Sequence, residues 1–246
     1  MTEKRTKKLP DILSKEEQAR LLQQPNPNTS TGLRNLCIMQ LILDTGITLS
    51  ELLNLQPDDI DLQERKIQIR KAEKEKNRRI QIGEETVTLL RKYFVAAPHS
   101  KYIFCTLRGG QLNGRYIREM VKRYSVKAGI AKNIYPHSLR HTFAANLYRQ
   151  TSDILLVQKT LGHTDIATTT IYAYLAEKET PDSAKDLPEA GQNVRSNLPK
   201  YIFKCSCGEI VSRQMEKCPG CGESVETVLE KIRSDFQRVY FGNKPL

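Results

Sequence analysis

Apolar residues recur along most of the first 176 positions at the three-to-four-residue spacing of helices, interrupted by one stretch of strict alternation. Ser14 followed by Glu17 is a capping-box signature and predicts a helix over 15–24, ended by the Asn/Pro/Thr stretch 25–31. Apolar-rich runs predict further helices over 33–43 and 50–55. Ile67 and Ile69, then Ile80 and Ile82, alternate with polar residues around a charged segment, which predicts an antiparallel pair. Helical spacing returns over 84–94, 112–128, 137–148, 153–161 and 166–175. The sum is a mainly helical α+β unit with a small antiparallel sheet. Residues 177–200 are rich in Glu, Lys, Pro, Ser and Asn and predict a linker. Beyond it Val225, Val228, Leu229, Ile232 and Phe236 predict a short amphipathic helix.

Charge changes this picture more than hydropathy does. The 246 residues carry 39 Lys and Arg against 28 Asp and Glu, a net +11, which points to a polyanionic partner. The excess is concentrated: between Arg65 and Arg79 eight of fifteen residues are basic and two acidic. A hairpin tip this basic is suited to phosphates, and Lys71, Lys74, Lys76, Arg78 and Arg79 are its candidate DNA contacts. No apolar run approaches the ~20 residues of a membrane span. The opening Met1-Thr2-Glu3-Lys4-Arg5 leads into no apolar signal core, so a cytoplasmic protein is expected.

Cysteine marks a second module. Cys205, Cys207, Cys218 and Cys221 lie within 17 residues, whereas Cys37 and Cys105 stand alone in apolar surroundings as small core residues. Two close pairs, each followed by glycine, can present a thiolate tetrahedron to Zn²⁺; two disulfides are the competing reading. With every position filled by protein, the zinc would be structural.

Two short segments carry the chemistry. In Pro136-His137-Ser138-Leu139-Arg140-His141, helical spacing puts His137, Arg140 and His141 on roughly one face. A guanidinium fork beside an imidazole suits a phosphate. In the second, Leu161-Gly162-His163 is followed nine positions after the histidine by Tyr172, and a phenol activated by cations can act as a nucleophile.

Taken in order, these segments resemble the tyrosine recombinase/phage integrase family. HSLRH is similar to its H-x-L-R-H box, LGHTDIATTTIY to its L-G-H box and tyrosine, and TGITLSELLNL to its T-G-L-R-x-S-E-L segment; LPDILSKEEQARLL resembles the start of its catalytic domain. The resemblance implies a catalytic domain over 1–176, a linker over 177–200 and a zinc-ribbon-like module over 201–246. It implies site-specific cutting and rejoining of double-stranded DNA, with Tyr172 forming a 3′-phosphotyrosine and needing no cofactor for catalysis. Arg140 would clamp the phosphate, and His137 and His163 would contact it or assist proton transfer. Lys74 would be the general acid, with Lys71 as its competitor, and His141 would support the helix. Homo-oligomers on paired DNA sites are implied as well.

Two departures qualify these expectations. The family's first arginine falls at Thr48; Arg34, in the similar-looking TGLRNL, belongs to the preceding helix. Either another cation fills the gap, or the chain is a weak or silent recombinase, or the substitution traps a state. Glu51, the acidic residue of that box, is then left without its expected partner. The resemblance also starts close to Met1, where the family usually carries a further helical domain. The cysteine module would therefore supply DNA grip or serve protein contacts. A catalytically silent DNA-binding relative that regulates recombination is the alternative function. A relic domain fused to a zinc-dependent protein-interaction module is a third.

Overall fold

The computed structural model describes residues 9–70, 77–163, 169, 171–178, 202–212, 215–228, 230 and 231. In chain order these form α1 (Lys15–Leu22), α2 (Ser30–Thr45), α3 (Leu49–Asn54), a 3₁₀ turn (Pro57–Asp59), β1 (Ile60–Asp61), β2 (Lys66–Ile69), β3 (Arg78–Gln81), α4 (Glu84–Ala96), α5 (Gly114–Lys127), α6 (Pro136–Thr151), α7 (Ile154–Leu161), α8 (Ile171–Lys178), β4 (Ile202–Lys204) and β5 (Ile210–Ser212). Among the described residues no helix is long and apolar enough to cross a membrane. The chain divides into two compact units, one built from 11–147 with 159–162, the other from 148–158 and 163 onward together with the first ten residues.

In the first unit, local sequence rules set the helix boundaries. Ser14 accepts from the Glu17 backbone N–H while the Glu17 carboxylate accepts from Ser14, the expected capping box. Thr29 caps α2, and Gly46 ends it in the left-handed region at φ 62°. A side chain at Gly46 would be strained there, and its Cβ would also lie 2.3 Å from Phe143. The three-stranded sheet has order β1-β2-β3 and is antiparallel throughout, with Ile67 opposite Ile80 and Ile69 opposite Arg78. Ile67, Ile69, Ile80 and Ile82 all turn inward, as the alternation requires. The two-residue strand β1 was not foreseen, because two residues after a Pro-Asp-Asp turn are too few to show a period. These isoleucines join one core cluster with residues such as Ile38 and Met39 of α2, Leu90 of α4 and Ile117 of α5.

The second unit contains the end of α6, most of α7, α8 and the cysteine module. Ile171, Tyr172, Leu175 and Ala176 are the buried residues of α8. Of the helix expected over 166–175, residues 171–175 are helical within α8; residues 164–168 and 170 lie outside the described set. In the cysteine module β4 and β5 pair antiparallel, and Cys205, Val211, Cys218, Val225 and Val228 form its small core. Residues 225–228, 230 and 231 are helical, as the apolar spacing predicts, while Leu229, Ile232 and Phe236 lie outside the described residues. So does most of the expected linker.

Candidate functional site

Arg140 is fixed by two helix ends. One terminal nitrogen donates to the carbonyl of Gly46, the cap of α2, and the other donates to the carbonyl of Leu161, the last residue of α7, at 2.9 Å. Both carbonyls sit at the negative ends of helix dipoles, which neutralises the buried guanidinium in part. The glycines that follow these helices, Gly46 and Gly162, both have positive φ. The sequence boxes T-G and L-G are therefore supports for an arginine more than 90 residues from one of them.

Arg140 also lines an open cleft of about 260 Å³ with Ile47, Thr48, Leu49, Arg118, Tyr135, Pro136 and His137. His137 and Arg140 enter from the first turns of α6, whose positive N-terminal end favours an anion there. Desolvation of the His137 ring, and then the Arg140 charge, hold its pKa below 6.5, so the imidazole is neutral at pH 7. Its ring meets that of His141 edge-on at 4.5 Å, which fits the supporting role expected of His141.

Thr48 is the N-cap of α3. Its hydroxyl accepts from the Glu51 N–H at 3.2 Å, and Glu51 returns the contact at 2.9 Å. Glu51 has not lost its partner, contrary to the expectation from Thr48. Arg78 donates to both carboxylate oxygens, at 2.5 and 3.0 Å, and its Nε donates to the Thr160 carbonyl at 3.0 Å. Burial pushes the Glu51 pKa up, but the Arg78 ion pair and the Thr48 N–H outweigh it and leave the group below 4.5. This corrects the sequence reading of Arg78 as a surface DNA contact: its side chain is only 11% exposed and is tied to α3 and α7. The sequence offered no sign of this, since alternation places a residue on a face but does not name its partner. Arg79 is exposed and donates to Gln68 across the hairpin. Lys71, Lys74 and Lys76 lie outside the described residues.

Arg34 is committed to the core, donating to the Cys105 carbonyl at 2.7 Å and to the Tyr116 hydroxyl at 2.8 Å. Cys37 is buried, and burial pushes its thiol up to about 12, so it is an inert packing residue; Cys105 is buried in the core as well.

In the second unit His163 and Tyr172 come together. Their ring centroids are 6.3 Å apart, and His163 Nδ1 lies 3.0 Å from the Thr169 hydroxyl. Tyr172 is 2% exposed and its N–H donates to the Thr169 carbonyl, which fixes the start of α8. The side chain of Tyr174 is outside the described set.

Cys205, Cys207, Cys218 and Cys221 place their sulfurs within 4.8 Å of one another. The contacts Cys205–Cys221 and Cys207–Cys218 are each 3.5 Å, well beyond the ~2.05 Å of a disulfide. Two matching turns build the cluster: the Gly208 N–H donates to the Cys205 carbonyl and the Gly222 N–H to the Cys218 carbonyl, both at 2.9 Å. Positive φ at these two glycines is what lets the chain fold back on the sulfurs. The arrangement can hold one metal ion.

Sequence reasoning missed Arg118 and Tyr135 as cleft residues. Neither belongs to a motif: Arg118 reaches the cleft through the packing of α5 beside α3, and Tyr135 directly precedes Pro136 at the start of α6.

Known proteins resemble this chain in sequence and fold. Tyrosine recombinase XerD of Staphylococcus haemolyticus is 32% identical over 185 residues, which is 72% of this chain and 62% of that protein. XerD of Staphylococcus aureus is 31% identical over 180 residues, 70% of this chain and 61% of the relative. The chain thus spans about three fifths of the length of these curated relatives. The crystal structure of XerA recombinase superposes with a TM-score of 0.64 at 32% identity, covering 76% of this chain and 68% of the other. XerH site-specific recombinase in a post-cleavage complex with a palindromic difH substrate gives 0.62 at 27% identity, covering 72% and 53%. A model of the phage integrase family matches residues 11–179, so the chain belongs to the phage integrase family.

Proposed function

We propose that this chain is a site-specific DNA recombinase that cuts and rejoins double-stranded DNA through a 3′-phosphotyrosyl bond on Tyr172. The observation that carries the reading is the mounting of Arg140. A buried guanidinium held by two helix-end carbonyls, at the edge of a cleft with an imidazole and, among the described residues, no acidic lining, is preorganised for a phosphodiester. In the first step the Tyr172 oxygen attacks phosphorus and the bond to the 5′ oxygen breaks. That oxygen leaves as a hydroxyl with a proton from Lys74, or from Lys71 in the neighbouring register. In the second step a 5′-hydroxyl attacks the phosphotyrosine and releases the phenol. One ester replaces another at each step, so the exchange calls for no external energy source. Arg140 binds the nonbridging oxygens, while His137 and His163 donate to them or take up and return the phenol proton.

The unit over 1–176 would be the catalytic domain, joined by the linker 177–200 to a zinc module over 201–246. Two copies on paired sites would exchange strands, and a DNA substrate of this kind places the protein in the cytoplasm at the nucleoid. For the module, a Zn–S bond of about 2.3 Å in a tetrahedron gives sulfur separations of about 3.8 Å. The 3.5 Å contacts fit that figure and the all-thiol donor set fits zinc. When bound, the ion would clamp the two glycine turns together in a structural role.

A second reading, a silent DNA-binding relative, is favoured by one observation: Thr48 is neutral, and its hydroxyl is already engaged in the α3 cap. The two are separated by incubating the protein with nicked suicide duplexes carrying randomised arms and resolving covalent adducts on denaturing gels. The recombinase reading expects an adduct that Tyr172→Phe abolishes; the silent reading expects bound duplex and no adduct.

A further inference from the structure

Among the described residues, the cleft at the start of α6 is lined by two arginines and no acid. Arg140 is anchored, whereas Arg118 stands on the exposed face of α5, and no hydrogen bond or ion pair among the described residues engages its guanidinium. Its near neighbour Arg115 differs, being tied to Glu119 one helical turn along at 2.8 Å. The Arg118 head is turned back along α5 toward α3. Its Nη2 lies 3.7 Å from where a Cβ on Gly114 would sit, and Leu49 and Leu53 approach that same point at 3.4 and 3.5 Å. Gly114 thus leaves room for the guanidinium to lie beside α3, whose first residues are Thr48 and Leu49.

A lone exposed arginine is ordinarily a solvated surface residue. Three features set this one apart. It shares a cleft with a second guanidinium, and an anion bound between the two would relieve their repulsion. The positive end of α6 opens on the same cleft, with Pro136 and His137 in its lining. The side facing α3 is neutral, because the Thr48 hydroxyl is used by the Glu51 N–H and the Glu51 carboxylate by Arg78.

We infer that Arg118 is a second phosphate-binding cation of this cleft, a catalytic residue contacting one nonbridging oxygen of the scissile phosphodiester while Arg140 contacts the other. The charge absent at position 48 is then supplied from α5. This rests on the strand-transfer reading for the identity of the phosphate, but the anion site can be tested apart from it.

Inorganic phosphate titrated into the full chain, followed through the His137 imidazole signals by NMR, reads the site without DNA. Arg118→Ala removes no hydrogen bond among the described residues and is expected to weaken phosphate about tenfold, the loss of one charge-assisted contact, with Arg118→Lys between it and the parent. Arg115→Ala is expected to stay within about twofold, since that charge is already paired. Unchanged phosphate binding in Arg118→Ala, or an equal loss in Arg115→Ala, overturns the assignment. On suicide duplexes Arg118→Ala should slow adduct formation by ~10²-fold, and a methylphosphonate at the scissile position, which removes one nonbridging charge, should shrink that difference. An unchanged adduct rate would refute the catalytic role. If phosphate binding depends on Arg118 yet no duplex gives a Tyr172-dependent adduct, the anion site stands and the recombinase reading fails.

Discussion

Arg78 donates through both terminal nitrogens to the carboxylate of Glu51, joining β3 to the first turn of α3, with the two side chains 11% and 13% exposed. A buried pair of this kind is costly to break from one side, because the remaining charge stays buried. Glu51→Gln is expected to destabilise the first unit by about 3 kcal/mol in urea melts. The pH dependence has a definite sign. The folded pKa of Glu51 is depressed below 4.5, so its stabilisation is fully present above 4.5 and is lost as pH falls through the folded value. The parent should lose stability below pH 4.5 more steeply than Glu51→Gln does.

Thr48 has a role in the fold that is separable from the chemistry. Thr48→Ala removes the cap of α3 and should cost about 1 kcal/mol, with the adduct rate little changed. Thr48→Arg loses the same cap but adds a cation to the cleft, so its adduct rate should exceed that of the parent despite a lower melting temperature. A Thr48→Arg variant slower than Thr48→Ala would count against a phosphate in this cleft.

How far these features could be read from sequence depends on the range of the interaction. Ser14–Glu17 and the isoleucine alternation were legible because capping and strand periodicity act over a few residues. The boxes around Gly46, Arg140 and Leu161 were legible as a resemblance, and the structure supplies their physical reason: one guanidinium binds both helix ends. The Glu51–Arg78 pair and the approach of Arg118 to Thr48 were not legible. Each depends on side chains 27 and 70 positions apart meeting through packing, and no local pattern marks such a meeting.

Tyr172 is 2% exposed, whereas Tyr135 at the cleft is 39% exposed. On the proposed strand-transfer reading, Tyr172 would reach DNA only after α8 shifts. In the free protein, limited nitration followed by mass spectrometry should modify Tyr135 well before Tyr172. Rapid modification of Tyr172 without DNA would show that α8 is not closed in solution.

The cysteine module predicts metal-dependent folding. Elemental analysis of the purified chain should find about one zinc per molecule, and Cys218→Ser should lose it, because this buried sulfur belongs to the four-thiol cluster. Chelation should unfold the module while leaving the melting of the first unit unchanged. Metal-free protein containing two disulfides would reject the zinc site.

The central claim, that Tyr172 carries the DNA strand, is tested most directly by digesting a trapped covalent adduct and locating the nucleotide-bearing peptide by mass spectrometry. The mass should fall on Tyr172 as a 3′-phosphotyrosine and vanish in Tyr172→Phe. A nucleotide on any other residue, or an adduct that persists in Tyr172→Phe, would contradict it.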